Sequence, residues 1–229
     1  MELTVKDTKM MQGLSVMAMV CLHLFDRYDY EGLFTPLLFW KDIPLSFYFG
    51  QLSDFCVMGF AFCNGYAHFV NYKKFGYYKR RLVKTLSLYC NLWIVLIGFT
   101  IISILKGCYS YMPGNLLEWI LNMVGVDCTY NGAWWYIFVY ALLVIVSPFI
   151  LKTFDKVVGI SLIIGLVIYL IAWYIRFESG TGNVILLLIG KFGMTYFEYL
   201  LGAAFCKFKI MSKVGAFRDK MPNLYITRE

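Results

Sequence analysis

The sequence is poor in charged residues. Only 15% of its 229 residues are Asp, Glu, Lys or Arg, whereas 60% are hydrophobic and 19% are aromatic. A soluble domain of this length carries about one quarter charged residues, so the composition excludes an ordinary soluble protein. The charges also fall in short clusters between long apolar runs, which is the pattern expected when lipid is the solvent.

The apolar runs also lack the strict alternation of polar and apolar residues that a membrane strand needs. Six runs are long enough, or nearly so, to cross a hydrocarbon core of about 30 Å as helices rising 1.5 Å per residue. A helix satisfies its own backbone hydrogen bonds, which favours it in lipid. We therefore predict an all-α polytopic transmembrane helix bundle with about six spans, at roughly 10–26, 46–70, 85–105, 133–151, 157–175 and 184–206.

Internal repeats and low-complexity tracts are absent, so residues 1–229 are interpreted as a single membrane domain. Between the third and fourth runs, the segment 115–125 ("NLLEWILNMVG") predicts a short helix lying at the membrane interface. Cys108 and Cys128 share this outer loop and could form a disulfide, but the sequence does not fix their separation.

The basic residues orient the predicted bundle. If the N-terminus is inside, most of the 21 Lys and Arg residues face the cytoplasm, and only Arg27, Lys41, Lys106 and Arg176 lie outside, with Lys191 in the sixth run. This bias fits the positive-inside rule with both termini cytoplasmic. Topology and anionic lipids account for the net charge of +7, so no nucleic-acid partner is expected. The cytoplasmic set is Lys6, Lys9, Lys73, Lys74, Lys79, Arg80, Arg81, Lys84, Lys152, Lys156, Lys207, Lys209, Lys213, Arg218, Lys220 and Arg228.

Ionisable residues inside predicted spans are candidates for function, because an ionised group at the bilayer centre costs about 2.5–3.5 kcal/mol or more. His23 follows Gln12 by 11 residues, about 16 Å along a helix, and so falls in the outer half of the first span. It is either an interfacial histidine or a general base, since imidazole both takes and gives a proton near neutral pH. Asp54, predicted at similar depth, either fixes the tautomer of His23 or marks the solvated end of its helix.

A dense basic cluster precedes the third span. Arg81 and Lys84 are three residues apart and share a helical face, with Arg80 beside them. Such a fork suits a phosphate-bearing ligand, whereas the alternative is ordinary positive-inside charge facing lipid headgroups. A basic cluster on the cytoplasmic side and a histidine towards the outer side together suggest an enzyme that takes a group from a phosphorylated cytosolic donor. The enzyme would pass this group to an acceptor across the membrane.

Two further polar pairs lie within predicted spans. Asn64 and Tyr66 flank Gly65, and they either allow close helix packing or contact a substrate. Lys191 and Glu198 are seven residues apart and share a face of the last span, which predicts an ion pair between them.

Five stretches along the chain form an ordered set of motifs. "KMMQGLSVMAMVCLHLF" places ten residues between Gln12 and His23, where a basic residue and a histidine are usual. "CVMGFAFCNGYAHF" carries Asn64 in place of Ser in a Ser-Gly-Tyr ending, and "YYKRRLVKTL" carries Lys84 as the second cation of an Arg-x-x-Arg pattern. "GAWWYIFVYALLVIVSPFI" and "YFEYLLGAAF" follow in order. The set resembles the acyltransferase-3 family of bacterial integral-membrane O-acyltransferases.

The resemblance implies transfer of an acyl group, commonly acetyl, from cytosolic acyl-CoA to a hydroxyl of an extracytoplasmic or lipid-linked envelope glycan. It implies that His23 is the catalytic residue, as general base or transient acyl carrier. It also implies that the basic residues before the third span hold CoA and that Trp134 and Trp135 line the acceptor site, although an aromatic belt would also explain the two tryptophans. Together with the residues singled out by their positions in the predicted spans, these form a catalytic pair, a CoA site and a substrate site. The catalytic pair is His23 and Asp54. The CoA site consists of Arg80, Arg81, Lys84 and Gln12. The substrate site consists of Trp134, Trp135, Asn64 and Tyr66.

The sequence departs from the family pattern in two respects. Gln12 replaces the first-helix cation, and six predicted helices stand where the family usually has about ten. We therefore expect a chain that lacks the last helices of the family: a fragment, a short variant or one that works with a partner. A non-enzymatic carrier with a His23–Asp54 proton relay, and a scaffold subunit of a glycan-assembly complex, remain open alternatives.

The expected setting follows from the same resemblance. We expect a multi-pass protein of the inner or plasma membrane whose partners are the lipid bilayer, acyl-CoA and a glycan acceptor. A second copy of the chain or a helper membrane subunit is a further candidate partner. Acyl-CoA is expected as a donor substrate rather than a permanently bound cofactor, and no metal site is expected.

Overall fold

The computed structural model describes residues 2–30 and 32–220, with the side chains of 218–220 excepted, so Arg228 and the end of the basic tail lie outside the described residues. Within this part the chain is mainly helical, with almost no sheet, which confirms the all-α prediction. One minimal antiparallel ribbon, β1 (Phe39–Trp40) with β2 (Ile43–Pro44), interrupts the helices. The helices are α1 (Val5–Phe25), α2 (Leu45–Leu52), α3 (Phe55–Asn71), α4 (Tyr77–Leu105), α5 (Leu116–Val124), α6 (Trp135–Lys156), α7 (Val158–Trp173), α8 (Val184–Lys207) and α9 (Ile210–Lys220).

Two short irregular helices extend these elements. A 3₁₀ turn, Gly132–Trp134, leads into α6, and a π-helical turn, Tyr174–Glu178, continues α7. With these extensions, five helical segments in the described residues are long and apolar enough to cross a membrane. They are Val5–Phe25, Tyr77–Leu105, Gly132–Lys156, Val158–Glu178 and Val184–Lys207.

The predicted span 46–70 is interrupted, and this differs from the sequence prediction of one continuous helix. Helix α2 ends at Leu52, and helix α3 begins at Phe55. The Ser53 hydroxyl donates to the carbonyl of Phe49 at 2.7 Å, which competes with regular helical bonding at this point. The break therefore leaves α3 only 17 residues long.

The chain divides into two compact units, and the first consists of Met1–Val70 with Leu201–Glu229. Glycines allow its helices to approach closely: a Cβ on Gly50 would lie 2.6 Å from the backbone nitrogen of Asp26, and one on Gly202 would overlap the carbonyl oxygen of Phe62. The rings of Phe62 and Phe205 meet edge-to-face at 5.0 Å. Unit 1 is thus held by backbone contacts that only glycine permits.

Unit 2 consists of Asn71–Leu200. In it α4 packs against α6 and α5 packs against α4. The segment predicted as an interfacial helix is α5, which begins at the N-cap Asn115 and ends at Gly125, whose φ is +79°. Its attachment to α4 includes the Trp119 indole, which donates to the Thr100 hydroxyl at 3.0 Å.

An ion pair closes one end of unit 2. Lys73, after α3, lies 2.8 Å from the carboxylate of Asp155 near the end of α6, and Tyr72 donates to the same carboxylate at 2.5 Å. The interaction with Asp155 raises the pKa of Lys73 above its ordinary value. Two segments predicted to be cytoplasmic, 71–84 and 152–156, are therefore joined at one end of unit 2.

Candidate functional site

His23 lies in the last turn of α1, where its side chain is exposed. The helix begins with a capping box, in which Thr4 and Asp7 satisfy each other's backbone N–H groups. This cap starts α1 five residues earlier than predicted and carries the helix as far as Phe25. The His23 ring makes no hydrogen bond or ion pair with another residue that the structure describes, so both of its nitrogens are available to a ligand.

A side-chain hydrogen bond joins the end of α1 to the region of Asp54. The Gln51 amide donates to the carboxylate of Asp26, and the backbone of Gly50 lies against the same turn. His23 precedes Asp26 by three residues, and Asp54 follows Gln51 by three. The structure therefore brings the two elements that carry His23 and Asp54 together. Among the described residues, no direct hydrogen bond joins the imidazole to the Asp54 carboxylate, and both side chains are exposed.

Tyr66, predicted to bind substrate, lies buried in α3. Its hydroxyl donates to the Glu2 carboxylate at 2.9 Å and accepts from the backbone nitrogen of Leu3 at 3.1 Å. Glu2 also accepts from the Ser212 hydroxyl at 2.5 Å, and this bond is the main reason that the pKa of Glu2 is lowered. Tyr66 thus fixes the N-terminal segment. The substrate roles of Tyr66 and of the half-buried Asn64 stay predictions.

The predicted CoA-binding cations lie in unit 2, in the first turns of α4. Arg81 is half-buried, and its guanidinium lies over the Tyr77 ring at 5.6 Å, which limits the directions that it can take. Arg80 and Lys84 are exposed on adjoining parts of the same helix. Gln12, assigned to the same ligand by resemblance, is half-buried in α1 of unit 1.

Trp134 lines a cavity of about 470 Å³ in unit 2. Asn131 positions this segment, because its side-chain oxygen accepts from the backbone nitrogen of Ala133 at the start of the 3₁₀ turn. The cavity walls include Phe99 and Ile102 of α4, and Lys106 lies at the end of that helix. The volume falls within the range of about 300–1,000 Å³ that is usual for small-molecule sites.

The predicted ion pair between Lys191 and Glu198 is wrong. The Lys191 ammonium lies over the Trp135 ring at 5.1 Å, and the structure records no contact of Lys191 with a carboxylate of Glu198. The guanidinium of Arg176 lies over the same Trp135 ring at 5.5 Å. Lys191 therefore contacts the face of the Trp135 ring rather than the carboxylate that sequence spacing predicted.

The structure has Cys108 and Cys128 as free thiols. The Cys128 thiol is half-buried and donates to the carbonyl of Gly125, and burial raises its pKa to about 11. It is therefore protonated at neutral pH and is a poor nucleophile.

The structure thus has the properties of a polytopic helical membrane protein with a histidine that is open to ligands at the end of its first span. Comparison with known proteins gives the family: a family model described as an acyltransferase domain, Acyl_transf_3, matches residues 8–215. The chain belongs to this acyltransferase-3 family. It is accordingly a multi-pass membrane protein with an acyltransferase domain. No curated protein and no solved structure matches it.

Proposed function

We propose that this protein transfers an acetyl group from acetyl-CoA to a hydroxyl of a cell-envelope glycan. The family supports acyl transfer in general. The single observation that carries the proposal to a mechanism is the exposed His23 ring, which has no bonded partner among the described residues. A general base needs a nitrogen that can reach the substrate proton, and neither nitrogen of this ring is taken by another described residue.

In the proposed reaction, a nitrogen of His23 accepts the proton of the acceptor hydroxyl while the hydroxyl oxygen attacks the thioester carbonyl. The carbon–sulfur bond breaks, and the departing CoA sulfur takes the proton back from the imidazolium. The products are an O-acetyl ester and CoA with a free thiol. Asp54 assists by hydrogen bonding to the ring and fixing its tautomer. The Gln51–Asp26 hydrogen bond supports this role, because it joins the end of α1 to the helix that precedes Asp54.

The cations of α4 bind the donor in this proposal. CoA carries several phosphate groups, and guanidinium and ammonium groups donate charge-assisted hydrogen bonds to phosphate oxygens. Arg81 is already oriented by its contact with Tyr77, so it loses less side-chain freedom on binding than Arg80 or Lys84. Gln12 contributes a neutral hydrogen bond where the family has a cation.

The proposal is tested with purified protein in proteoliposomes, supplied with acetyl-CoA labelled in the acetyl group and with glycans from the cell envelope. We expect label in the glycan as an ester that mild alkali releases, and one free CoA thiol per transferred acetyl group. Free labelled acetate serves as the control donor and should give no product. Label that appears in an amide, or that passes only to water, would refute the proposed acceptor chemistry.

A further inference from the structure

Two cations share a single tryptophan in unit 2. Lys191 of α8 and Arg176 of the π-helical turn lie over the Trp135 ring at 5.1 Å and 5.5 Å, and Arg176 also lies over Phe177 at 4.8 Å. Trp135 is the first residue of α6, so three helical segments converge on this point. We name Trp135, Arg176 and Lys191 the cation pair site.

Glycine in α8 makes this convergence possible. A Cβ on Gly190 would lie 3.1 Å from the carbonyl oxygen of Ala172 and 3.7 Å from the Cβ of Arg176, and one on Gly193 would lie 2.8 Å from the Cβ of Ala172. The close approach of α7 and α8 sets Arg176 beside the helix that carries Lys191. This packing places both cations over one aromatic ring of α6.

The positive charges of the cation pair site have no carboxylate within 4.0 Å in the described part of the chain. Glu178, two residues after Arg176, makes no ion pair with it. Ionised groups within membrane-spanning helices are expensive and usually occur with a partner or in a functional pathway. Their cation–π contacts are worth only about 0.5–2 kcal/mol each, so two such charges on one ring favour an anion as the missing partner.

Lys191 also lines a cavity of about 310 Å³. The wall on α8 is apolar, formed by Val184, Leu187 and Leu188. Asp127 also lines the cavity; its Oδ1 accepts from the backbone nitrogen of Cys128, while no described residue donates to its Oδ2. The cavity therefore offers a cation, a free carboxylate oxygen and an apolar face. The cation is suited to bind an oxyanion, the carboxylate oxygen to accept a hydrogen bond from a hydroxyl, and the apolar face to contact the carbon skeleton of the same small molecule.

We propose that the cavity beside the cation pair site binds an anionic sugar of the acceptor, with Lys191 on the oxyanion and Asp127 on a hydroxyl. Arg176, over the same Trp135 ring as Lys191, adds a second positive charge next to the cavity. This inference rests on the proposed transfer to a glycan and specifies the acceptor class. Arg176, Lys191 and Asp127 together carry one net positive charge, which a single sugar carboxylate or phosphate diester balances. Lys191 lies seven residues into α8, about 10 Å from the start of the helix, deeper than cations that only contact headgroups need to be.

The test measures binding of small sugars to the purified full chain in nanodiscs of zwitterionic lipid, by isothermal titration calorimetry without acyl donor. The probes are methyl glucuronoside, with a carboxylate, methyl glucosyl phosphate, a phosphate diester, and neutral methyl glucoside. We expect each anionic sugar to bind at least about tenfold more tightly than the neutral one, the effect of one charge-assisted hydrogen bond. The stronger of the two anionic probes identifies the oxyanion. Equal affinity for all three would overturn the proposal.

Variants give an independent result. Lys191→Gln and Arg176→Gln should each weaken binding of the preferred anionic sugar by about tenfold, whereas Lys191→Arg should keep most of it. Lys41→Gln is the matched control, because Lys41 is an exposed cation, also predicted to lie outside, that lines neither of the two cavities described for unit 2. If Lys191→Gln is not recovered folded, Arg176→Gln and the fall in affinity with added salt decide the question. Losses no greater than that of Lys41→Gln would contradict the assignment.

The binding assay separates this inference from the proposed function. Preference for anionic sugars without any acetyl transfer would refute the proposed reaction and leave the site intact. Acetyl transfer without that preference would refute the anion site and leave the reaction intact.

Discussion

At the residue scale, the chemistry depends on a few polar side chains in an otherwise apolar chain. His23 is exposed and open to a ligand, whereas the other histidine, His68, is buried in α3. The thiol of Cys128 is protonated because burial raises its pKa. These environments, rather than residue type, distinguish a candidate base from residues that serve packing.

The cations of α4 permit a prediction about the donor. Arg81→Gln and Lys84→Gln should each raise the KM for acetyl-CoA by about tenfold, because each removes a charge-assisted hydrogen bond to phosphate. Their effect on kcat should be small, since the contact is made before and during the reaction alike. Initial rates over a range of acetyl-CoA concentrations give both constants.

Lys79→Gln is the matched control for these variants. Lys79 is exposed in the same helix, but a spacing of 100° per residue places it nearly opposite Arg81 and Lys84. Its KM should remain within about twofold of the wild-type value. Equal increases in all three variants would mean that general positive charge, rather than a built site, attracts the donor.

Part of this site could be predicted from sequence. A histidine at the end of an apolar run and a basic fork before another run are visible in the residue order. The cation pair site was not predictable, because Arg176, Trp135 and Lys191 belong to three separate elements. Sequence spacing instead predicted that Lys191 pairs with Glu198, because spacing shows only which residues are neighbours on the same helix. It does not show that an aromatic ring of a different helix contacts Lys191.

At the element scale, apolar length predicted most helices, and local hydrogen bonds determined where they end. The helix over 115–125 was confirmed because its cap residues, Asn115 and Gly125, are recognisable signals. The break at Ser53 was missed, because it depends on a side chain that bonds its own helix and on the contact between Gln51 and Asp26. The latter joins residues distant in sequence.

Close packing at Gly202 gives an element-scale prediction. Gly202→Ala should lower the unfolding free energy by about 1–3 kcal/mol, because the added methyl overlaps the backbone carbonyl of Phe62 and α8 must move away from α3. Thermal denaturation in detergent micelles, followed by loss of tryptophan fluorescence, measures this change. Gly98→Ala is the control: its Cβ would meet nothing within 4 Å, and alanine favours a helix by about 1 kcal/mol. Equal stability of the two variants would contradict the packing described for unit 1.

At the scale of the whole molecule, the part of the chain that the structure describes has five helical segments long enough to cross a membrane. The predicted orientation also needs the interrupted segment 46–70 (α2 and α3) as a second crossing, because the basic residues before α4 are assigned to the same side as the N-terminus. The acyltransferase-3 family membership and the long apolar helices give a membrane acyltransferase. The orientation with the N-terminus inside is a prediction from the positions of Lys and Arg. This orientation determines from which side of the membrane the acyl donor reaches the protein.

Cysteine labelling in intact cells tests this orientation. Cys108 is exposed in the loop after α4 and should react with a membrane-impermeant maleimide added outside. A Lys74→Cys variant, made in a Cys108→Ser background, should react only after the cells are permeabilised, since residue 74 lies in a predicted cytoplasmic turn. The Cys108→Ser chain alone measures the background from the remaining cysteines. If residue 74 reacts in intact cells and Cys108 reacts only after permeabilisation, the topology is the inverse of the predicted one.

The most direct measurement of the central claim is the rate of acetyl transfer by His23→Ala in proteoliposomes. If His23 is the general base, kcat should fall by about 10²–10⁴-fold, the usual contribution of such a base. Leu24→Ala, an exposed change in the same turn, should retain wild-type activity. Transfer by His23→Ala at the wild-type rate would show that this imidazole does not take the acceptor's proton, and would contradict the account.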